Sequence, residues 1–84
     1  MAYYVYVLRS EKDGSYYIGH TSDPEERLKR HSERRSGYTR NKAPWKLIYK
    51  EAFSTRSEAM QRERDIKRKK SRAYIDHLVR AFGV

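Results

Sequence analysis

Apolar residues recur with a period of two in three stretches of the chain, and this period is typical of β-strands. Residues 3–9 (YYVYVLR) are apolar on both faces, which predicts a central strand. Residues 15–19 (SYYIG) predict a second strand, and residues 45–53 (WKLIYKEAF) predict a third. The alternation in the third stretch is expected to place four side chains on one face: Trp45, Leu47, Tyr49 and Phe53.

The turn between the first two strands decides whether two tyrosines share a face. It has the sequence EKDG at positions 11–14, and an Asp-Gly pair supplies the positive φ angles that tight turns need. A loop of two or four residues pairs positions whose numbers add up to an odd value. That pairing places Tyr6 and Tyr17 on the same face as diagonal neighbours, whereas a loop of odd length would separate them.

Three segments carry the signals that start helices. The sequence DPEE at positions 23–26 offers an Asp cap, a Pro at the first helical position and a Glu at the third, and we expect this helix to end near residue 34 with Leu28 as its only apolar residue. The sequence TRSE at 55–58 is a capping box. The inward stripe of this second helix is expected to comprise Ala59, Glu63, Ile66 and Lys70.

Ser71 is expected to cap a third helix that ends near Gly83. Its apolar face is expected to comprise Tyr74, Ile75, Leu78, Val79 and Phe82. Residues 34–44 (RRSGYTRNKAP) read as a loop, and no repeat or linker divides residues 1–84, which predict a single domain. The predicted order is therefore β-β-α-β-α-α, an α+β fold in which helices pack on a three-stranded sheet.

Composition qualifies this fold and excludes several kinds of chemistry. Hydrophobic and charged residues each make up 37% of the 84 residues, a balance that borders on disorder, but eight Tyr and the periodic segments favour a folded chain. The absence of Cys excludes disulfides, a thiolate nucleophile and a zinc finger. The three His lack the spacing of metal ligands. No signal peptide or membrane span is recognisable, so we expect a cytoplasmic protein.

A strong excess of positive charge points to a polyanionic partner. The chain has 20 Lys and Arg against 11 Asp and Glu, a formal net charge of +9. A field of this sign attracts nucleic acid, and the alternative is a solvated basic surface of the kind found on many ribosome-associated proteins.

Glu63 is the most informative polar residue, because it lies between Ala59 and Ile66 on the predicted inward side of its helix. A lone buried carboxylate costs several kcal/mol unless it is paired or binds a cation. One alternative is an ion pair with Arg27 or a boundary position that reaches solvent. The other is a ligand for Mg²⁺, which binds through one or two carboxylates together with waters and substrate phosphate.

Further polar side chains are candidates for the same site. Tyr6 and Tyr17 would be ordinary strand residues, or phenols that relay a proton from a water molecule. Arg27 would be a solvated surface residue, or a clamp whose planar fork matches phosphate oxygens. His31, one turn later, would contact a leaving group or phosphate, or lie on the helix surface. His20 directly follows YIG and remains ambiguous.

Together these segments resemble the GIY-YIG nuclease superfamily. YVY at 4–6 stands where that family has GIY, and YIG at 17–19 reproduces its second motif. Residues 23–31 (DPEERLKRH) are similar to its helix with an essential Arg followed by His, and AMQRE at 59–63 is similar to the later helix with the metal-binding Glu. The likeness is closest to the small stand-alone bacterial branch, which is related to the amino-terminal nuclease domain of the bacterial excinuclease.

The resemblance implies an antiparallel sheet flanked by three helices and a hydrolytic mechanism with one Mg²⁺, for which Mn²⁺ can substitute. It implies that Glu63 binds the metal, that Tyr6 acts as general base, and that Tyr17 and Arg27 orient and neutralise the phosphate, with His31 nearby. Two features depart from the family pattern. Tyr4 replaces the Gly of the first motif, and no Asn follows Glu63, although many active members carry one there.

The leading hypothesis is a DNA endonuclease that acts on repair or recombination intermediates as a monomer or weak dimer. With no second domain we expect mainly phosphate contacts and little sequence reading. The predicted DNA contacts are His20, Arg35, Tyr38, Arg40, Lys42, Arg68, Lys69 and Lys70. The alternatives are a non-catalytic nucleic-acid-binding module and a basic ribosome-associated protein.

Overall fold

The computed structural model describes residues 2–33 and 40–83, so the predicted DNA contacts Arg35 and Tyr38 lie outside the described residues. The elements follow the predicted order. The strands are β1 (Tyr3–Ser10), β2 (Tyr16–Thr21) and β3 (Trp45–Phe53), and the helices are α1 (Pro24–Ser32), α2 (Arg56–Lys69) and α3 (Arg72–Phe82). A 3-10 turn, Arg40–Lys42, lies in the predicted loop, and the side chain of Arg40 is not described.

The sheet is antiparallel, and β1 lies between its two neighbours in the strand order β2-β1-β3. Tyr6 lies opposite Gly19, and Leu8 lies opposite Tyr17. The hairpin closes through a 2.8 Å hydrogen bond from the Ser10 amide to the Ser15 carbonyl, so four residues form the loop. The prediction that Tyr6 and Tyr17 share a face is therefore confirmed.

Strand β3 does not keep one apolar face along its length, and the predicted common face of Trp45, Leu47, Tyr49 and Phe53 is wrong. Leu8 pairs with Leu47, but the preceding Val7 pairs with Tyr49, so the register shifts by one residue at a β-bulge. Trp45 and Leu47 consequently pack on the side of Tyr6, whereas Tyr49 and Phe53 pack on the opposite side. A bulge reverses the faces because successive side chains point to opposite sides of the sheet.

The helices begin as their capping sequences predicted. Asp23 accepts a hydrogen bond from the Glu26 amide, Thr55 and Glu58 form the reciprocal capping box, and Ser71 accepts from the Tyr74 amide. Helix α1 ends at Ser32, slightly before the expected residue 34. In the described ranges no helix combines the length and apolarity that crossing a bilayer requires.

Two predicted packing positions at helix ends are wrong. Lys70 does not belong to the inward stripe of α2, because it is the exposed C-cap with a φ of 48°, where the helix has already turned away. Phe82 does not complete the apolar face of α3, since 68% of its surface is exposed in the last turn. Ala59 and Ile66 of α2, by contrast, are fully buried as expected.

The sheet separates two layers of core. Helices α2 and α3 cover the face of Val5 and Val7, and the buried members of this layer are Val5, Val7, Tyr49, Ala59, Ile66, Ile75 and Leu78. Helix α1 covers the other face through Leu28, which packs with a smaller layer: Tyr6, Leu8, Ala43 and Trp45. Both faces of β1 are thus covered, and β2 forms one edge of the sheet.

Candidate active site

The candidate site lies where the side chain of Tyr6 crosses Gly19 on the edge strand β2. A β-carbon added to Gly19 would lie 2.6 Å from the Tyr6 hydroxyl and 2.8 Å from Cζ, so a side chain at this position would collide with the phenol. Glycine therefore allows Tyr6 to extend from the central strand across its partner, toward the outer edge of the sheet. The ring itself is almost fully buried.

Tyr6 belongs to a group of stacked rings on the α1 side of the sheet. The ring centroids of Tyr6 and Tyr17 are 6.2 Å apart, and those of Tyr17 and His31 are 4.7 Å apart. Trp45 closes the group at 6.3 Å from Tyr17 and 6.4 Å from His31. Because the rings support one another at these distances, the orientation of Tyr17 is held by contacts on two sides.

His31 is a buried residue, and its interpretation as a plain helix-surface residue is wrong. Only 2% of its surface is exposed, since the ring lies under Tyr17 and Trp45. Burial lowers the pKa of His31, and the positive charges of Arg27 and Arg30 lower it further. The ring is therefore neutral near pH 7, and its position suits support of Tyr17 better than direct contact with a phosphate.

Glu63 approaches the same edge from the opposite face of the sheet. Its Oε1 lies 2.6 Å from Nδ1 of His20 and its Oε2 lies 2.7 Å from Nζ of Lys67, whereas the predicted alternative pair with Arg27 is not formed among the described residues. Burial raises the pKa of Glu63, but the hydrogen bonds from Lys67 and His20 outweigh this effect and lower the pKa below its usual range. The carboxylate is therefore ionised at neutral pH.

The charges around the Tyr6 hydroxyl identify which groups surround it. Burial is the main cause that raises the pKa of Tyr6, and Tyr17 and Glu63 raise it further. Arg27 and Arg30 act in the opposite direction without compensating. The phenol is therefore protonated at neutral pH and serves as a hydrogen-bond donor at a point that the fields of one acid and two arginines reach.

Glu63 has the chemistry of a ligand for a hard divalent cation. Within residues 2–33 and 40–83 no group of three or more His, Cys, Asp or Glu side chains is arranged to hold a metal ion. A single carboxylate fits Mg²⁺, which keeps several waters and binds substrate phosphate rather than filling its shell with protein ligands. Lys67, the partner of Oε2, is 53% exposed and sits on a flexible stem, so it can move away from the carboxylate.

Comparison with known proteins identifies the family. The model of the GIY-YIG catalytic domain matches residues 2–75. This chain belongs to the GIY-YIG family. That membership makes it a nuclease-type domain and implies DNA as the substrate. The resemblance inferred from YVY, YIG and the two helices is thereby confirmed.

Its relatives are small bacterial proteins. The chain is 46% identical over 79 residues to the UPF0213 protein of Bacillus licheniformis, covering 89% of this chain and 80% of the relative. It is 48% identical over 68 residues to the UPF0213 protein of Streptococcus pneumoniae serotype 4, covering 80% and 68%. The solution NMR structure of the UPF0213 protein BH0048 from Bacillus halodurans matches with a TM-score of 0.61 and 38% identity, covering 96% of this chain and 85% of that chain.

Not all predicted DNA contacts lie on the GIY-YIG site side of the molecule. His20 contacts Glu63 directly. Arg68 pairs with Asp65, and Lys69 lies 5.3 Å over the ring of Tyr74, so both occupy the flank of α2 that faces away from Glu63. The remaining two are Lys42, whose Nζ lies 3.1 Å from the Ser15 hydroxyl at the hairpin loop, and Lys70, the exposed C-cap of α2.

Two charged neighbours of the site were missed by the sequence analysis. Lys67 contacts Glu63, and its signal was available, since a Glu followed four residues later by a Lys is a favourable helix pair. Arg30 acts on both Tyr6 and His31. Its proximity follows from the docking of α1 on the sheet and had no local signal.

Gly19→Ala is expected to lower the free energy of unfolding by about 1–3 kcal/mol, because the new methyl group overlaps the Tyr6 ring. Chemical denaturation measures this loss. In a Tyr6→Leu background the overlap is absent, so the same substitution should cost little there. An equal loss in both backgrounds would mean that the close approach is not what requires glycine.

Proposed function

We propose that this protein is a metal-dependent endonuclease that hydrolyses phosphodiester bonds in DNA. The observation that carries the proposal is the meeting of the Tyr6 phenol, the ionised Glu63 and the charge of Arg27 around Gly19. They come from β1, α2 and α1 and converge on an edge strand, where an extended phosphate backbone has access. The family match supports hydrolysis as the reaction.

Glu63 would hold the Mg²⁺ ion, and His20 would keep the carboxylate oriented through the 2.6 Å hydrogen bond to Oε1. A bound Mg²⁺ supplies Lewis-acid stabilisation of charge on the phosphoryl and leaving oxygens. Lys67 would release Oε2 when the cation binds and would remain close enough to attract the phosphate. Mn²⁺ is expected to substitute, because it also accepts oxygen ligands.

Tyr6 would accept the proton of the attacking water, directly or through a second water. The indirect route suits the structure better, because the ring is only 2% exposed. Tyr17, which is half-buried, would position the water or the phosphate, and the buried His31 would hold Tyr17 in place. Arg27 would neutralise charge that develops on the phosphoryl oxygens.

The substrate contacts would be mainly to phosphates, since the net charge of +9 attracts the backbone irrespective of sequence. Such binding favours cleavage guided by DNA structure, as on repair or recombination intermediates. The chain would act in the cytoplasm as a monomer or weak dimer.

Wild-type protein is expected to nick plasmid and branched DNA with Mg²⁺ and to lose this activity in chelator. Arg27→Ala should nick at least about 10-fold more slowly, because a charged hydrogen bond to phosphate is lost. Arg56→Ala is the matched control, since Arg56 is an exposed arginine at the start of α2. Equal rates for both variants and the wild type would reveal a contaminating nuclease and defeat the proposal.

A second candidate is a non-catalytic nucleic-acid-binding module that keeps the GIY-YIG scaffold. It is favoured by the hydrogen bonds that already occupy both oxygens of Glu63. This candidate predicts binding to DNA without cleavage in any metal. Mn²⁺ titration followed by electron paramagnetic resonance separates the two, because the endonuclease should bind Mn²⁺ and Glu63→Ala should not, whereas the module predicts equal results.

A further inference from the structure

Two arginines from distant parts of the chain converge beside the β1–β2 turn, outside the candidate active site. Arg9 lies near the end of β1, and Arg72 is the first residue of α3. The Nη2 atoms of their guanidinium groups lie 3.5 and 3.6 Å from the point where a side chain of Gly14 would begin. The two Nη2 atoms are therefore no farther apart than these two distances combined. We name Arg9, Gly14, Tyr16 and Arg72 the hairpin arginine site.

The charges of Arg9 and Arg72 are not neutralised by acids in the part of the chain that the structure describes. Both side chains are exposed, and neither forms an ion pair with a described carboxylate. Asp76 of α3 instead accepts a hydrogen bond from the Tyr16 hydroxyl. Two adjacent guanidinium groups repel each other, so an anion placed between them would be stabilised by both.

The hairpin arginine site is held in place by contacts that do not use up its charge. The Cζ atom of Arg72 lies 4.3 Å over the centre of the Tyr16 ring, a cation–π arrangement that leaves the N–H donors available. Gly14 has a φ of 79°, which favours glycine, and the absence of a side chain leaves room between the two arginines. The hydrogen bond to Asp76 fixes Tyr16, and it is the main cause that raises the pKa of Tyr16.

The position of the hairpin arginine site relates it to the candidate active site. Arg9 pairs with Tyr16 in the sheet, and Tyr16 and His20 share a face because they are four residues apart on β2. His20 contacts Glu63, so all these groups lie on the α2 and α3 side of the edge strand. Four strand residues span about 13 Å, a distance that a nucleic-acid backbone covers within a few nucleotides.

We propose that Arg9 and Arg72 form a second phosphate-binding site, which takes a backbone phosphate of DNA a few nucleotides from the bond at the candidate active site. Paired planar guanidinium forks match the oxygens of a phosphodiester. The proposal rests on DNA being the substrate, as proposed above, but it does not require cleavage. The site would set the direction in which the strand runs along the edge of the sheet.

The test compares Arg9→Gln/Arg72→Gln with a matched double variant, Arg56→Gln/Arg80→Gln, which removes two exposed arginines elsewhere. Affinity for a labelled duplex oligonucleotide is measured in chelator between about 50 and 200 mM salt. The hairpin variant should bind about 10-fold more weakly than the control, since charged hydrogen bonds to one phosphate are lost. Its slope of log affinity against log salt should be shallower by about one.

Equal affinity and slope for the two double variants would overturn the proposal, and so would a wild type that does not bind duplex DNA. A wild type that binds but never cuts defeats the proposed endonuclease function and leaves the hairpin arginine site standing. Arg9→Gln alone guards against misfolding, because the Arg9 side chain makes no hydrogen bond or ion pair with a described residue. This variant should weaken binding in the same direction while keeping the thermal midpoint of the wild type.

Discussion

Glu63→Gln is expected to reduce the rate of DNA cleavage by about 10³-fold or more, while binding to DNA is retained. Glutamine has the shape of glutamate and can still contact His20 and Lys67, but it lacks the negative charge that holds a divalent cation. Losing the several kcal/mol of charge stabilisation that a metal supplies corresponds to this factor. Single-turnover cleavage in Mg²⁺ measures the rate, and duplex affinity in chelator measures the binding.

Asp65→Asn is the matched control for Glu63→Gln, because it also removes one carboxylate from α2. Asp65 lies on the other flank of the helix, where it contacts Gln61 and Arg68. Cleavage by the Asp65 variant should remain close to that of the wild type. If the two variants lose activity equally, the effect comes from the changed net charge, and Glu63 is not the metal ligand.

Tyr6→Phe is expected to lower the cleavage rate by about 10²–10⁴-fold, the usual contribution of a general base. The substitution removes one hydroxyl and keeps the buried ring, so the fold and DNA affinity should persist. Burial, Tyr17 and Glu63 keep the pKa of Tyr6 above its ordinary value near 10, despite the opposing charges of Arg27 and Arg30.

The raised pKa of Tyr6 also predicts how the rate depends on pH. Below its pKa the deprotonated fraction of a phenol grows tenfold per pH unit, so the logarithm of the wild-type rate should rise between pH 7 and 9 without a plateau. In Tyr6→Phe this rise should be lost. A wild-type plateau below about pH 8, or an unchanged slope in the variant, would exclude Tyr6 as the base.

Local signals in the sequence were sufficient for most of the fold. Capping residues mark helix starts because they satisfy amide groups within the same few residues, and all three predicted caps form the expected hydrogen bonds. The hairpin could be predicted for the same reason, since its loop length alone sets the parity of the pairing. The fold class and element order follow from these short-range rules.

The bulge in β3 and the exposed Phe82 could not be predicted in this way. Nothing in WKLIYKEAF distinguishes a regular strand from one that shifts register at Ile48, because the shift depends on how β3 docks against β1. Phe82 continues the apolar period of α3, but the sheet surface ends before the last turn of that helix. Both outcomes depend on the extent of the partner surface rather than on the segment itself.

The candidate site divides along the same line. Residue types and order indicated Tyr6, Tyr17, Arg27 and Glu63, and family membership explains why these positions stand out. Their catalytic and metal-binding roles remain predictions, as do the cytoplasmic location and the predicted contacts Arg35, Tyr38 and Arg40.

The sequence by itself determined the elements, their order and the family, because these properties are encoded in short-range patterns and motif spacing. Only the tertiary structure decided that His20 and Lys67 are the partners of Glu63, that His31 is buried, and that Arg9 and Arg72 converge beside Gly14. Such pairings join residues far apart in the chain, and side-chain contacts of this kind are set by how helices dock on the sheet.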